Sequence, residues 1–396
     1  MKFESKAVHF ADRKRGRKLG DASVPVTTPI HTATSYVHDS MEALDRVFAG
    51  EQEGQSYGRH DNPTRNALAD LVSALEGGAG AVACASGMSA LHLALLAALL
   101  DRPKRVVAAN ALYGATTNML MSVFGPMGVE TTLADVCDPP AFEEAVAEAK
   151  PGAVLIETIS NPLLRVAPMD KIAEICARAG APLIVDNTFA TPVMVRPLEF
   201  GANIVVHSAT KYLAGHGDVL GGVAVADAAN FPAILQLMRT IGPALSPFDS
   251  YLTMRGIKTL PLRVERQCAN ACKVASWLSG HPKVERVYFT GDPQHPDAAT
   301  IARLFPKNLQ GAMLAFDIKG AGRAEVFRFM EALMMIVPAT SLGDVHTMAL
   351  YPAISTHRDI SAKMRARLGI GDGLVRMSIG IEAAEDIISD LEQAFR

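Results

Sequence analysis

The feature that most constrains this chain is an alternation of apolar runs in its middle. Residues 153–160 (AVLIETIS) form one apolar run and residues 182–187 (PLIVDN) another. Between them, residues 170–180 (DKIAEICARAG) place Ile172, Ile175, Cys176 and Ala179 together at helical spacing and stop at Gly180. Strand, helix and strand in that order make a βαβ crossover, which implies a parallel sheet with helices on both faces. Residues 203–210 (NIVVHSAT) supply a further strand.

From about residue 260 the pattern changes. Strand signals at 284–289 (VERVYF) and 311–318 (GAMLAFDI) stand between helices, and Ile387, Ile388, Leu391 and Phe395 share one face of a last helix. Near the other end, residues 62–76 (NPTRNALADLVSALE) read as a helix with Leu68, Leu71, Val72 and Leu75 on one face and glycines after it. Residues 1–60 are rich in Thr, Pro and Gly without a sustained helical period, as in an arm that packs on something other than its own domain. The fold class is therefore α/β, with an arm (1–60), a large parallel-sheet α/β domain (61–258) and a smaller C-terminal α+β domain (259–396).

The 396 residues are enough for two domains and a sizeable core. A formal charge of -3 offers nucleic acid no electrostatic footprint. The short basic run at 13–18 (RKRGRK) reads as a solvated segment. Five scattered cysteines without CxxC spacing, Cys268 and Cys272 included, read as buried free thiols, with no metal site. No run reaches the ~18 apolar residues of a membrane span, and the first residues have no apolar leader core. The expectation is a reduced, cytoplasmic protein with no membrane partner.

Three segments carry chemistry. The strand at 203–210 runs into Lys211, and desolvation at a strand end lowers a lysine's pKa as Schiff-base chemistry requires. Ser208 and Thr210 beside it offer hydroxyls to a phosphate. Taken alone, the segment equally fits a snorkelling lysine. Asp186 ends another strand, where a buried carboxylate needs a cationic partner such as a pyridinium N–H; by itself such a residue is more often a satisfied loop carboxylate. Ser86-Gly87-Met88 opens an apolar helix whose first amides favour an anion, although an ordinary tight turn has the same composition. Gly78, Gly80 and Ala83 formally match G-x-G-x-x-A, but they follow a helix and precede a strand, the reverse of a dinucleotide-binding context.

Together these segments resemble the pyridoxal-phosphate enzymes of cysteine and methionine metabolism, the fold-type I group with cystathionine γ-synthase, cystathionine γ-lyase and methionine γ-lyase. The resemblance spans nearly the whole chain. It rests on SYGRHDNPT, ASGMSA, LYGATT, ETISNP, VDNTFATP, HSATKYLAGHGD, MRGIKTL, SLGD and LVRMSIGIE. It implies pyridoxal 5'-phosphate on Lys211, which later shuttles protons, with Asp186 at the pyridine nitrogen and Asn161 beside the phenolic oxygen. It implies a phosphate cup of Gly87, Met88, Ser208 and Thr210, with Tyr57 and Arg59 reaching the cofactor of an adjacent subunit in a homotetramer built from dimers. Tyr113 corresponds to the tyrosine that stacks on the ring and acts as acid or base. Arg376 and Ser341 correspond to the residues that hold the carboxylate of the amino-acid substrate.

Within the group, GHGD, MRGIKTL and SLGD most resemble methionine γ-lyase, whereas cystathionine enzymes more often carry GHSD. Ala115 replaces the cysteine typical of methionine γ-lyases, and Arg239 and Thr240 stand where Lys and Asp are usual. His346 lies where cystathionine γ-lyases place a glutamate, and fits a pocket residue or a surface histidine. The expected activity is γ-elimination from methionine, homocysteine or cystathionine. γ-Replacement on an O-acylhomoserine shares every catalytic residue, and the leaving carbon depends on pocket shape.

Overall fold

The computed structural model describes residues 1–12, 23–356, 358, 365 and 369–396. Its centre is a seven-stranded sheet of β1 (Gly80–Cys84), β2 (Arg105–Ala109), β3 (Glu130–Ala134), β4 (Ala153–Glu157), β5 (Leu183–Asp186), β6 (Ile204–Ser208) and β7 (Gly222–Ala226), in the order β1-β7-β6-β5-β4-β2-β3. The expected crossover is present: β4 and β5 pair in parallel and the Met169–Ala179 helix joins them. Ile172, Ile175 and Cys176 of that helix are buried, while Ala179, expected beside them, is exposed in its last turn.

The sheet is parallel except at β7, which runs antiparallel to both β6 and β1. The cause is the 209–221 connection, which contains no helix. Without a crossover helix the chain can only return in the opposite direction.

The Gly87–Leu99 helix lies against β6 and β7 with Ala90, Leu91, Leu93, Ala94, Leu95, Ala97 and Ala98 buried. A helix apolar nearly all round belongs in an interior, and each buried leucine contributes ~1.5–3 kcal/mol of transfer free energy. The Pro63–Glu76 helix buries Leu68, Leu71, Val72 and Leu75. Asn62 caps its start by accepting from the Thr64 and Arg65 amides, and Gly77, at φ +79°, ends it.

A second, five-stranded sheet of β8 (Val284–Phe289), β9 (Met313–Ile318), β10 (Val337–Pro338), β11 (Met348–Leu350) and β12 (Leu374–Ser378) has the order β10-β11-β12-β9-β8. The Ala384–Ala394 helix packs beside it through Ile387 and Leu391, with Phe395 buried just beyond its end. The 20-residue Leu260–Ser279 helix ties the two sheets together. Its Leu260, Val264 and Cys268 belong to the core of the large sheet, and its Ala271, Val274 and Leu278 to the second core. The division placed between residues 258 and 259 stands at the start of this shared helix.

The expected arm is divided. Phe3–His9 forms a helix against the Pro63–Glu76 helix, with Ala7 and Ala11 buried in the core of the large sheet, so residues 3–11 pack on their own chain. From residue 29 to residue 61, by contrast, no side chain is buried. The Met41–Phe48 helix in that segment leaves Met41 and Phe48 exposed. The basic run at 13–18 lies outside the described residues. Among the described residues no helix is long and apolar enough to cross a membrane, and no group of His, Cys, Asp and Glu could hold a metal. All five cysteines are free; Cys84, Cys176 and Cys268 are buried as expected, whereas Cys272 is exposed.

Candidate active site

Because six strands share a direction, their carboxyl ends gather on one edge, where open α/β sheets build their sites. Ser86-Gly87-Met88 follows β1, Tyr113 follows β2, Glu157 and Asn161 end and follow β4, Asp186 ends β5, and Ser208, Thr210 and Lys211 end and follow β6. The reversed strand contributes too: Gly222 begins β7 on the same edge, paired with Ser208 on one side and Cys84 on the other.

That pairing explains the turn at Gly87. A Cβ there would lie 2.9 Å from Ser208 Cβ, and one on Gly222 would lie 2.2 Å from the Ser86 carbonyl oxygen. The backbone thus reaches the sheet edge only because both positions lack side chains. Ser86 caps the Gly87–Leu99 helix by accepting from the Ser89 amide at 3.1 Å, and Met88 packs on the core. The Thr210 hydroxyl accepts the Gly221 N–H at 3.0 Å.

Lys211 Nζ donates to Ser341 Oγ at 2.9 Å. Burial, reinforced by the positive charge of Arg376, pulls its pKa down to about 8. Arg376 comes from β12 and is buried; its Nη1 donates to Asn161 Oδ1 at 2.9 Å and its Nη2 to the Ser341 carbonyl at 3.1 Å. Its Nε has no hydrogen-bond partner among the described residues. Burial lowers even this guanidinium to about 10. The two sheets therefore meet at Lys211, Ser341, Asn161 and Arg376, four residues that sequence reasoning named separately.

Asp186 accepts the Thr188 N–H at 3.0 Å and the Thr188 hydroxyl at 2.5 Å, and Thr188 Oγ1 in turn accepts the Ser208 N–H at 2.9 Å. Burial raises the pKa of Asp186. Tyr113 is 43% exposed and precedes the Gly114–Met119 helix, in which Ala115 is half-buried. Its backbone N–H donates to Glu157 Oε1 at 2.6 Å.

Tyr57 and Arg59 stand apart. Tyr57 is 41% exposed and bridges to Ser35, the Arg59 guanidinium lies 5.7 Å from its ring centroid, and Arg59 Nη1 donates to the Arg239 carbonyl. None of these contacts leads to Lys211. His346 is also outside the cluster: its exposed ring pairs with buried Asp344 through Nδ1 at 3.2 Å.

Two sets of residues escaped the sequence reading. Glu157 is one. The other is wholly buried: His207 Nε2 lies 2.5 Å from Glu76 Oε1, which also accepts from Asn187 Nδ2 at 3.0 Å. A charged residue closing the all-apolar strand AVLIE was the available signal for Glu157, the same signal that singled out Asp186.

A family model described as Cys/Met metabolism PLP-dependent enzyme matches residues 5–396. The chain belongs to that family. It is accordingly a pyridoxal 5'-phosphate-dependent enzyme of carbon–sulfur chemistry, on the fold-type I scaffold. It is 40% identical over 399 residues to an L-methionine gamma-lyase of Pseudomonas putida, covering 100% of this chain and 97% of the relative. It is also 40% identical over 373 residues to a cystathionine gamma-lyase of Bacillus subtilis (strain 168), covering 93% and 94%. A crystal structure of cystathionine gamma synthase from Xanthomonas oryzae pv. oryzae, in complex with aminoacrylate and cysteine, superposes with a TM-score of 0.91 at 37% identity over 100% of this chain and 98% of the other.

The residues present suit this cofactor. A side-chain-free cradle at Gly87 beside Ser208 faces a helix N-terminus, as a phosphate needs. A desolvated lysine amine, a strand-end carboxylate and an arginine with an unused buried N–H complete the donor set.

Proposed function

We propose that the protein is a γ-lyase of sulfur amino acids, converting methionine, homocysteine or cystathionine to a 2-oxo acid, ammonia and a thiol (hydrogen sulfide from homocysteine) with consumption of water. The observation that carries the reading is the Lys211–Ser341–Arg376 arrangement, which puts a proton-accepting amine and a carboxylate clamp on one serine.

Lys211 would carry the cofactor. Gly87 and Met88 at the helix N-terminus, with Ser208 and Thr210, would hold its phosphate. Asn161 would hold its phenolic oxygen, and Asp186 its ring nitrogen. Pyridoxal phosphate, when bound, supplies an electron sink for charge left on the substrate α-carbon. Arg376 binds the substrate carboxylate through its unused Nε and an Nη, a fork suited to two oxygens. Released from the cofactor, the Lys211 amine has a pKa near 8, close enough to neutral to take the α-proton and return it elsewhere. The Tyr113 hydroxyl protonates the departing sulfur. Tyr57 and Arg59, both exposed, serve the phosphate of a partner subunit in a dimer, two of which form a tetramer.

Elimination is favoured over replacement by GHGD at 215–218, the feature shared with methionine γ-lyases, and is in keeping with the 40% identity to the P. putida methionine gamma-lyase. Ala115, Arg239 and Thr240 leave the preferred thioether open. γ-Replacement is the second reading, supported by the fit to the X. oryzae synthase. The test is a panel of cystathionine, methionine, homocysteine and O-acylhomoserines, each with and without a thiol. The lyase reading expects 2-oxobutanoate from a thioether or thiol substrate without added thiol. Product formed only with added thiol, and no 2-oxobutanoate, would overturn it.

A further inference from the structure

Glu157 closes β4 and pairs in register with Asp186 at the end of β5. Residues paired in register on adjacent parallel strands project from the same face of the sheet. Two carboxyl groups thus share one edge of the site. The charged neighbour of Glu157 is Asp186, and the electrostatic influence of His207 of β6, itself bonded to Glu76, favours the Asp186 anion. Two neighbouring buried carboxylates cannot both ionise at modest cost, so one keeps a proton.

The hydrogen bonds decide which. Asp186 accepts two donors from Thr188, an N–H and a hydroxyl, and has His207 beside it. Each of these favours its anion. Among the described residues Glu157 has a single donor, the Tyr113 backbone N–H. Burial and the Asp186 charge push Glu157 well above the usual carboxylate range. A neutral carboxylic acid still offers its carbonyl oxygen to that N–H.

We infer that Glu157 is a positioning residue that acts as a protonated acid: it fixes the backbone at Tyr113 and leaves Asp186 as the anionic member of the pair, available to the cofactor ring nitrogen. The role rests on the assignment of Asp186 to the ring nitrogen. Glu157 neither touches the reacting atoms nor exchanges its proton during turnover. A glutamine in its place has nearly the same shape and the same acceptor oxygen. A leucine has neither acceptor nor donor.

The test uses the holoenzyme and three variants. Glu157→Gln should retain kcat, and the affinity of the apoprotein for pyridoxal phosphate, within about threefold. Glu157→Leu should lower kcat on the order of 100-fold through misplaced Tyr113, with KM changed much less. The infrared spectrum of the wild type should contain a protonated-carboxylic-acid carbonyl band that Glu157→Gln removes. A Glu157→Gln enzyme as impaired as Glu157→Leu, a Glu157→Leu enzyme as active as the wild type, or the absence of that band would each overturn the inference. The infrared readout needs only folded wild type and Glu157→Gln protein, so a Glu157→Leu chain that fails to fold leaves the question decidable. Asp186→Asn separates the two claims. Unchanged visible absorption and turnover there would sink the ring-nitrogen assignment, whatever the Glu157 variants do.

Discussion

The proposed site has two halves made in opposite ways. At the sheet edge, Lys211, Asn161, Asp186, Ser341 and Arg376 are locked by short bonds to one another or to near neighbours; Asp186 and Arg376 lie on strands whose residues are almost all buried, and the other three lie in turns and loops beside them. On the arm, Tyr57 and Arg59 belong to a segment of 33 residues, 29–61, with no buried side chain at all. The first half is specified by its own fold. The second has no interior of its own to hold it, which is what a group borrowed by another subunit requires. The contrast separates what a single chain can pre-organise from what assembly must add.

The sharpest challenge is at Arg376. Replacing it by Leu would remove the proposed carboxylate clamp and strand Asn161 and the Ser341 carbonyl. KM for the amino-acid substrate should rise about 100-fold or more, with kcat affected less. Steady-state kinetics showing an unchanged KM would remove Arg376 from the substrate carboxylate.

Next in size is complementation across the two halves. Arg59→Ala and Lys211→Ala should each be inactive or weakly active alone. Co-expressed, they should regain activity, because in a hybrid dimer one site receives an intact Lys211 and an intact Arg59. No recovery would return Arg59 to its own subunit's site.

Stability should divide in the same way. Leu91→Ala, in the all-apolar Gly87–Leu99 helix, should cost about 2–5 kcal/mol in urea unfolding. Phe48→Ala on the arm should change the unfolding free energy of the isolated subunit by less than about 0.5 kcal/mol and act on association instead. An equal, concentration-independent loss at both positions would erase the contrast.

Much of this was legible in the chain because strand ends announce themselves. Asp186, Lys211 and the Ser86-Gly87-Met88 turn each interrupt an apolar run, and the βαβ spacing told which ends would share an edge. The direction of β7 was not legible. GVAVA carries no mark of orientation, and only the helix-free connection before it reverses the strand. Glu157 was hidden for a related reason: its partners come from register with β5 and from the β2 loop, which lie 29 and 44 residues away. The Glu76–His207–Asn187 set likewise joins three elements that no local pattern connects. Arg376 and Ser341 were visible only through resemblance, since an arginine in a strand has no local signature of what it binds.

The smallest predicted effect is a pH slope. The folded-state pKa of Glu157 is raised, so the folded chain keeps a proton that the unfolded chain releases above the usual carboxylate range. Wild-type apoprotein should therefore lose stability as pH climbs from that range toward the folded value, and Glu157→Gln should not. Melting curves of the two apoproteins should diverge in favour of Glu157→Gln as pH rises. Parallel curves would mean that Glu157 is ionised in the folded chain.

The central claim is that the two halves converge on Lys211. Borohydride reduction of the holoenzyme, followed by peptide mass spectrometry, tests it directly. The account predicts a pyridoxyl-phosphate adduct on the peptide containing Lys211, and its absence from Lys211→Ala, which should also lack the visible absorption of the wild type. An adduct on another lysine, or an unchanged spectrum in Lys211→Ala, would contradict it.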